Sequence, residues 1–123
     1  MIVEVFAFRG RNLINYVAAW THLRPRLHRG RYDVVHAQDP ANAVLAFPKR
    51  VPLVLTFVGV DSRLSHRLAA RYLMRRADAV VVASNELRDS VQTRAPVHVI
   101  PPGLDETTYA AWLAAVYRSV VKD

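Results

Sequence analysis

The sequence contains no cysteine. That excludes a disulfide framework and any thiolate-based metal site, and it agrees with an expected cytoplasmic location. No apolar run approaches the roughly 20 residues that cross a bilayer. Residues 1–6 (MIVEVF) show no basic region ahead of a long apolar stretch, so no signal peptide is expected. Glycine is scarce, with four residues, and the one after the first apolar run, in Arg9-Gly10-Arg11, makes an ordinary turn and not a Gly-Gly phosphate loop. Ser84 has no Gly-x-Ser-x-Gly elbow around it, which excludes that kind of nucleophile. Five histidines are scattered over positions 22, 28, 36, 66 and 98 without ligand spacing, so no metal is expected. Internal repeats, low-complexity segments and interdomain linkers are absent as well. Acidic residues are missing from positions 9–31 altogether.

That same window holds Arg9, Arg11, Arg24, Arg26, Arg29 and Arg31. The whole chain carries 17 Lys+Arg against 10 Asp+Glu, a net charge of +7. Such a cluster suits an anionic partner: a phospholipid surface, a phosphorylated substrate or a nucleic acid. The plainer alternative is a solvated helix face. No nucleic-acid-binding motif accompanies the charge, which places that partner last. With 123 residues, 52% of them hydrophobic, the chain is expected to form one domain with a real core.

The segment 51–57 (VPLVLTF) is a short, continuous apolar run, as suits a strand buried on both faces. Pro52 fits at its start, where a missing N–H costs little. Gly59 then permits a turn, and Asp61 or Ser62 can cap the next helix. Similar strands are expected at 2–8, 33–37, 78–83 and 97–100. Between them lie helical patterns: from Leu13, with Leu13, Val17, Trp20, Leu23 and Leu27 in one stripe and a kink or end near Leu23 because of Pro25; a short one at 41–47; one over 62–76, with Leu64, Leu68, Tyr72 and Leu73 on its apolar face and Arg63, Arg67, Arg71 and Arg75 on a basic ridge; one over 85–93 capped by Ser84; and a last helix at 107–121 with Trp112. Strands alternating with helices predict an α/β fold, an open parallel sheet of about five strands with flanking helices. Ligands bind such sheets beyond the carboxyl ends of the strands, which is where His36 and Asp61 fall.

Four segments resemble family 4 retaining glycosyltransferases. YDVVHAQ (32–38) is similar to the strand end D-V-V-H-A-H, and VLTFVGVD (54–61) to V-x-T-x-H-G-x-D. RADAVVVASNEL (76–87) is similar to A-D-A-V-I-A-V-S-E-x-L, and VHVIPPGLD with Tyr109 (97–109) to V-x-V-I-P-N-G-V-D-x-x-x-F. The resemblance implies a Rossmann-like, acceptor-side N-terminal domain of a GT-B enzyme, with the C-terminal helix packed back onto it. In that family the nucleotide-sugar donor binds a second domain carrying a Glu-x7-Glu motif. Neither that domain nor an opening strand with a glycine-rich loop lies within these residues, so the resemblance implies no cofactor in this chain and no transferase activity alone. Val58 stands where many members have a histidine, and Pro102 where they have an asparagine.

His36, Gln38, Gly59 and Asp61 are the candidate acceptor-binding residues. His36 can equally be a buried strand-end histidine bonded to backbone, and an aspartate in the place of Asp61 is more often a helix cap than a substrate ligand. Asp105 is expected to fix the turn after the last strand. The six arginines are the candidate surface for anionic lipid, which would place the chain at the inner face of the membrane. If consecutive crossovers put every helix but the last on one face, the other face is thinly covered. A homodimer, through that face or by exchange of the Trp112 helix, is then expected, or else association with the donor domain.

Overall fold

The computed structural model describes residues 13–28, 32–38, 43–47, 51–57, 64–91 and 93–121. The chain runs α1 (Leu13–His28), β1 (Val35–Ala37), a 3-10 turn (Val44–Ala46), β2 (Leu53–Phe57), α2 (Leu64–Arg76), β3 (Ala79–Val82), α3 (Asn85–Ser90), β4 (Val97–Val99) and α4 (Glu106–Val120). The strands form one sheet in the order β1-β2-β3-β4, every neighbouring pair parallel. Four strands are therefore present among the described residues; the strand expected at 2–8 lies outside them.

β2 occupies the centre because its sequence can be buried on both sides. Leu53, Val54 and Leu55 are wholly buried, and Phe57 nearly so. The period-2 alternation of the sheet then sorts side chains between two cores. On one face, Ala37, Leu53, Leu55, Phe57, Val80 and Val82 pack with Ala43 and Ala46 of the 3-10 turn and with Leu73 and Met74 of α2, while Leu87 of α3 sits alongside. On the other, Val54, Ala79, Val81 and Ile100 meet Val116 and Val120 of α4. That second face is thus covered within one chain by the last helix. Asp78 stitches the start of the sheet: its carboxylate accepts from the Leu53 N–H at 2.8 Å, and its own N–H donates to the Leu53 carbonyl at 2.8 Å.

The helix ends follow capping chemistry. Ser84 accepts from the Leu87 N–H at 3.2 Å and starts α3, which ends at Ser90, earlier than the expected Thr93. Thr93 instead donates its hydroxyl to the Met74 carbonyl, at 2.7 Å, tying the loop to the end of α2. Asp105 accepts from the Thr108 N–H at 2.7 Å and caps α4; that backbone hydrogen bond holds its carboxyl below the usual range. Gly103 has φ 87°, the left-handed conformation the Pro-Pro-Gly turn needs.

Three helical expectations are corrected. α1 does not stop near Leu23 but continues through Pro25 to His28. Pro25 and Thr21, whose carbonyl has no N–H to accept from at position 25, are both exposed, so that carbonyl is open to solvent. Among the described side chains of α1, Ala19 and Leu27 are buried, whereas Val17 is exposed and Trp20 partly so. Trp20 is held instead by its indole N–H donating to the Phe47 carbonyl at 2.8 Å, which joins α1 to the 3-10 turn. On α2, Leu73, Met74 and the following Ala77 face the core while Leu68 and Tyr72 are more than half exposed. The two apolar rows of α2 are offset by about one residue, some 100° around the helix, and the sheet's position selects between them. Tyr72 on the outer row lies under the Arg76 guanidinium, 5.2 Å from its ring centroid. Finally, the segment at 41–47 is described only from Ala43, and there it makes a 3-10 turn.

Candidate acceptor site at the sheet rim

β1 is three residues long, and its register fixes which side chains share a face. His36 pairs with Val54, whose side chain belongs to the core beneath α4, so His36 faces α4 as well. Thr56, two residues along β2, lies on that same face. The structure joins them: His36 Nε2 is 2.6 Å from Thr56 Oγ1, and His36 Nδ1 is 2.5 Å from the Tyr117 hydroxyl of α4. The Tyr117 ring meets the imidazole edge to face, with centroids 5.5 Å apart at 74°.

Burial drives the electrostatics of this triad. It pushes the His36 pKa down to about 4, so the imidazole is neutral at pH 7. Burial, with the nearby Tyr109 second, pushes the Tyr117 hydroxyl up to about 12. A neutral imidazole donates from one nitrogen and accepts at the other, and the two rotatable hydroxyls complement either tautomer. His36 is thus a strand-end histidine whose two nitrogens are bonded to side chains, not to backbone. Gln38 follows at the tip of β1 and is exposed.

Gly59 and Asp61, which follow β2, lie outside the described residues, as do Arg9, Arg11, Arg29 and Arg31. Arg24 and Arg26 lie near the C-terminal end of α1, with Arg26 exposed and the Arg24 guanidinium 5.9 Å from the centroid of the Trp20 ring. Among the described residues no three His, Cys, Asp or Glu side chains could hold a metal ion, and no helix is long and apolar enough to cross a membrane. Sequence reasoning missed Thr56 and Tyr117. Thr56 was legible as the one polar residue at an otherwise apolar strand end; Tyr117 is 81 positions from His36 and carried no local signal.

The four parallel strands and their rim can be compared with known families. The profile of Glycosyltransferase Family 4 matches residues 2–108. The chain belongs to that family. No curated protein matches it at a significant level. In this family 4 chain the matched residues take in all of β1 to β4, His36 and Thr56. They end at Thr108, within the first turn of α4. Tyr117, which covers His36, therefore comes from beyond the matched region.

Proposed function

We propose that this chain is the acceptor-side part of a GT-B glycosyltransferase, serving hexosyl transfer from a nucleotide-sugar held by a separate donor domain. The observation that carries the reading is the family match across the whole sheet, with His36 and Gln38 at the carboxyl end of β1, where open α/β sheets bind ligands. Gln38 offers a carboxamide that can both donate to and accept from sugar hydroxyls. Gly59 and Asp61, which come next in the sequence after β2, are the other residues of the proposed acceptor set. His36 contributes by position: both its nitrogens are engaged, so it meets an acceptor directly only if α4 shifts.

Transfer from a nucleotide-sugar needs groups that orient the donor and stabilise the departing diphosphate. Those groups belong to the donor domain, so the 123-residue chain alone is inactive. The test is a sugar-transfer assay on the pure chain with radiolabelled UDP-glucose and GDP-mannose, alone and mixed with the donor-binding half of a family 4 enzyme. No transfer alone, and transfer in the mixture that falls with Gln38→Ala, is the expected result. Transfer by the chain alone refutes the division of labour. Association by exchange of α4 is a further partner form, and a monomer by light scattering at micromolar concentration rules it out.

One observation favours a second reading, a non-catalytic module on anionic lipid. Ile14 and Val17 of α1 are 78% and 52% exposed, on a helix whose C-terminal end carries Arg24 and Arg26. Arg9, Arg11, Arg29 and Arg31, which flank α1 in the sequence, are the other candidates for that role. Co-sedimentation with vesicles containing phosphatidylserine, but not with pure phosphatidylcholine, supports it; equal recovery with both rejects it.

A further inference from the structure

At the opposite edge of the sheet from His36, β4, α3 and α4 enclose an open groove of about 510 Å³. Three strand spacings, roughly 14 Å, separate β4 from β1, so this is a different place from the acceptor rim. Its walls are apolar: Val97, Val99 and Ile100 from the sheet side, Ala111, Ala115 and Val116 from α4. Trp112 also lines it and remains 44% exposed. Three polar side chains break the apolar wall, Asn85 and Arg88 of α3 and His98 of β4, and no carboxylate lies among the lining residues.

His98 is the anomaly. It pairs in register with Val81, which lies in the core beneath α4, so its ring faces that helix. Its Nε2 is buried and has no hydrogen-bond partner. A buried ring nitrogen left unpaired is a penalty that native structures nearly always relieve, with protein, water or ligand. His36, on the same face, has two hydroxyl partners; His98 has none at Nε2 and instead borders a groove with a guanidinium in its wall.

We propose that this groove binds a small amphipathic anion, a carboxylate or phosphate carried on a flat apolar body. Arg88 holds the oxyanion, because a guanidinium matches either group with two parallel N–H donors. His98 meets the ligand from the α4 side of the β4 edge, while Arg88 comes from the α3 side, and the ligand gives the His98 Nε2 the partner it lacks. Asn85 supplies a further N–H. The flat body lies against Trp112 and the alanine side of α4, where an exposed indole face gains from stacking. A bare inorganic ion leaves the apolar wall uncovered and binds weakly.

The test uses the full chain, isotopically labelled, with NMR signals of the His98 imidazole and the Trp112 indole followed during titration with benzoate, phenyl phosphate, benzyl alcohol and inorganic phosphate. Saturable, joint movement of both signals with benzoate or phenyl phosphate is expected, and the tighter of the two identifies the head group. Arg88→Gln, at an exposed position that leaves the melting temperature unchanged, weakens that binding about tenfold, the loss of one charge-assisted contact. Trp112→Leu weakens it while leaving the His98 shift in place. The proposal is overturned by no saturable shift with either anion, by equal binding of benzyl alcohol or of inorganic phosphate, or by undiminished binding to Arg88→Gln.

Discussion

The two faces of the sheet solve different problems with the same four strands. Beneath α2 and α3 the core is apolar throughout, from Ala37 across Leu55 and Phe57 to Val80 and Val82. Beneath α4 an apolar centre of Val54, Ala79, Val81 and Val116 is flanked by a histidine on β1 and another on β4, the outer strands among the described residues. One histidine is satisfied by Tyr117 and Thr56, and the other is left with an unpartnered nitrogen. An apolar face gives stability that is indifferent to pH. A face that holds the His36 imidazole in a largely buried place makes stability depend on protonation.

The largest expected effect is on the apolar face. Leu55→Ala should cost about 3 kcal/mol by denaturant unfolding, from lost transfer energy and a residual cavity, and the cost should be the same at pH 7 and pH 5. A penalty that changes with pH would break the contrast between the faces. On the α4 face, the depressed His36 pKa sets the sign. Below its ordinary value of 6.5 the unfolded chain takes up a proton that the folded chain refuses until about pH 4. Stability therefore falls as pH drops through that window, by up to about 3 kcal/mol. His36→Phe should flatten this part of the profile relative to the parent; an unchanged slope would mean that other groups carry it. Tyr117→Phe leaves one imidazole nitrogen without its partner and should cost about 1–2 kcal/mol at pH 7. Ser84→Ala removes the α3 cap for about 1 kcal/mol. Smallest of all, Leu68→Ala should stay within about 0.5 kcal/mol, since that side chain is 54% exposed; a larger loss would restore the expected apolar face of α2.

The strands were legible because their signal is local. LVLTF, apolar but for Thr56, and AVVV are short runs bounded by proline or an Ala-Asp pair, as suits parallel strands buried on both faces. The caps at Ser84 and Asp105 were readable for the same reason, since a cap bonds to an N–H three residues away. Helix faces were harder. α1 and α2 each offer more than one apolar row, and local periodicity does not say which row a neighbour will cover. Val17 and Tyr72 were placed inside and are exposed, while Ala19 and Met74 are buried. That His36 and Gln38 lie at the carboxyl end of β1 was legible from the strand pattern, but what holds His36 was not.

The order of strands and helices, their parallel direction and the membership in Glycosyltransferase Family 4 follow from the residues alone, because burial on two faces and short-range capping are written in neighbouring positions. Which way each helix turns, and the meeting of His36 with Tyr117 across 81 positions, were decided only when the chain closed. A long-range contact depends on where two surfaces come to rest, and no local pattern encodes that.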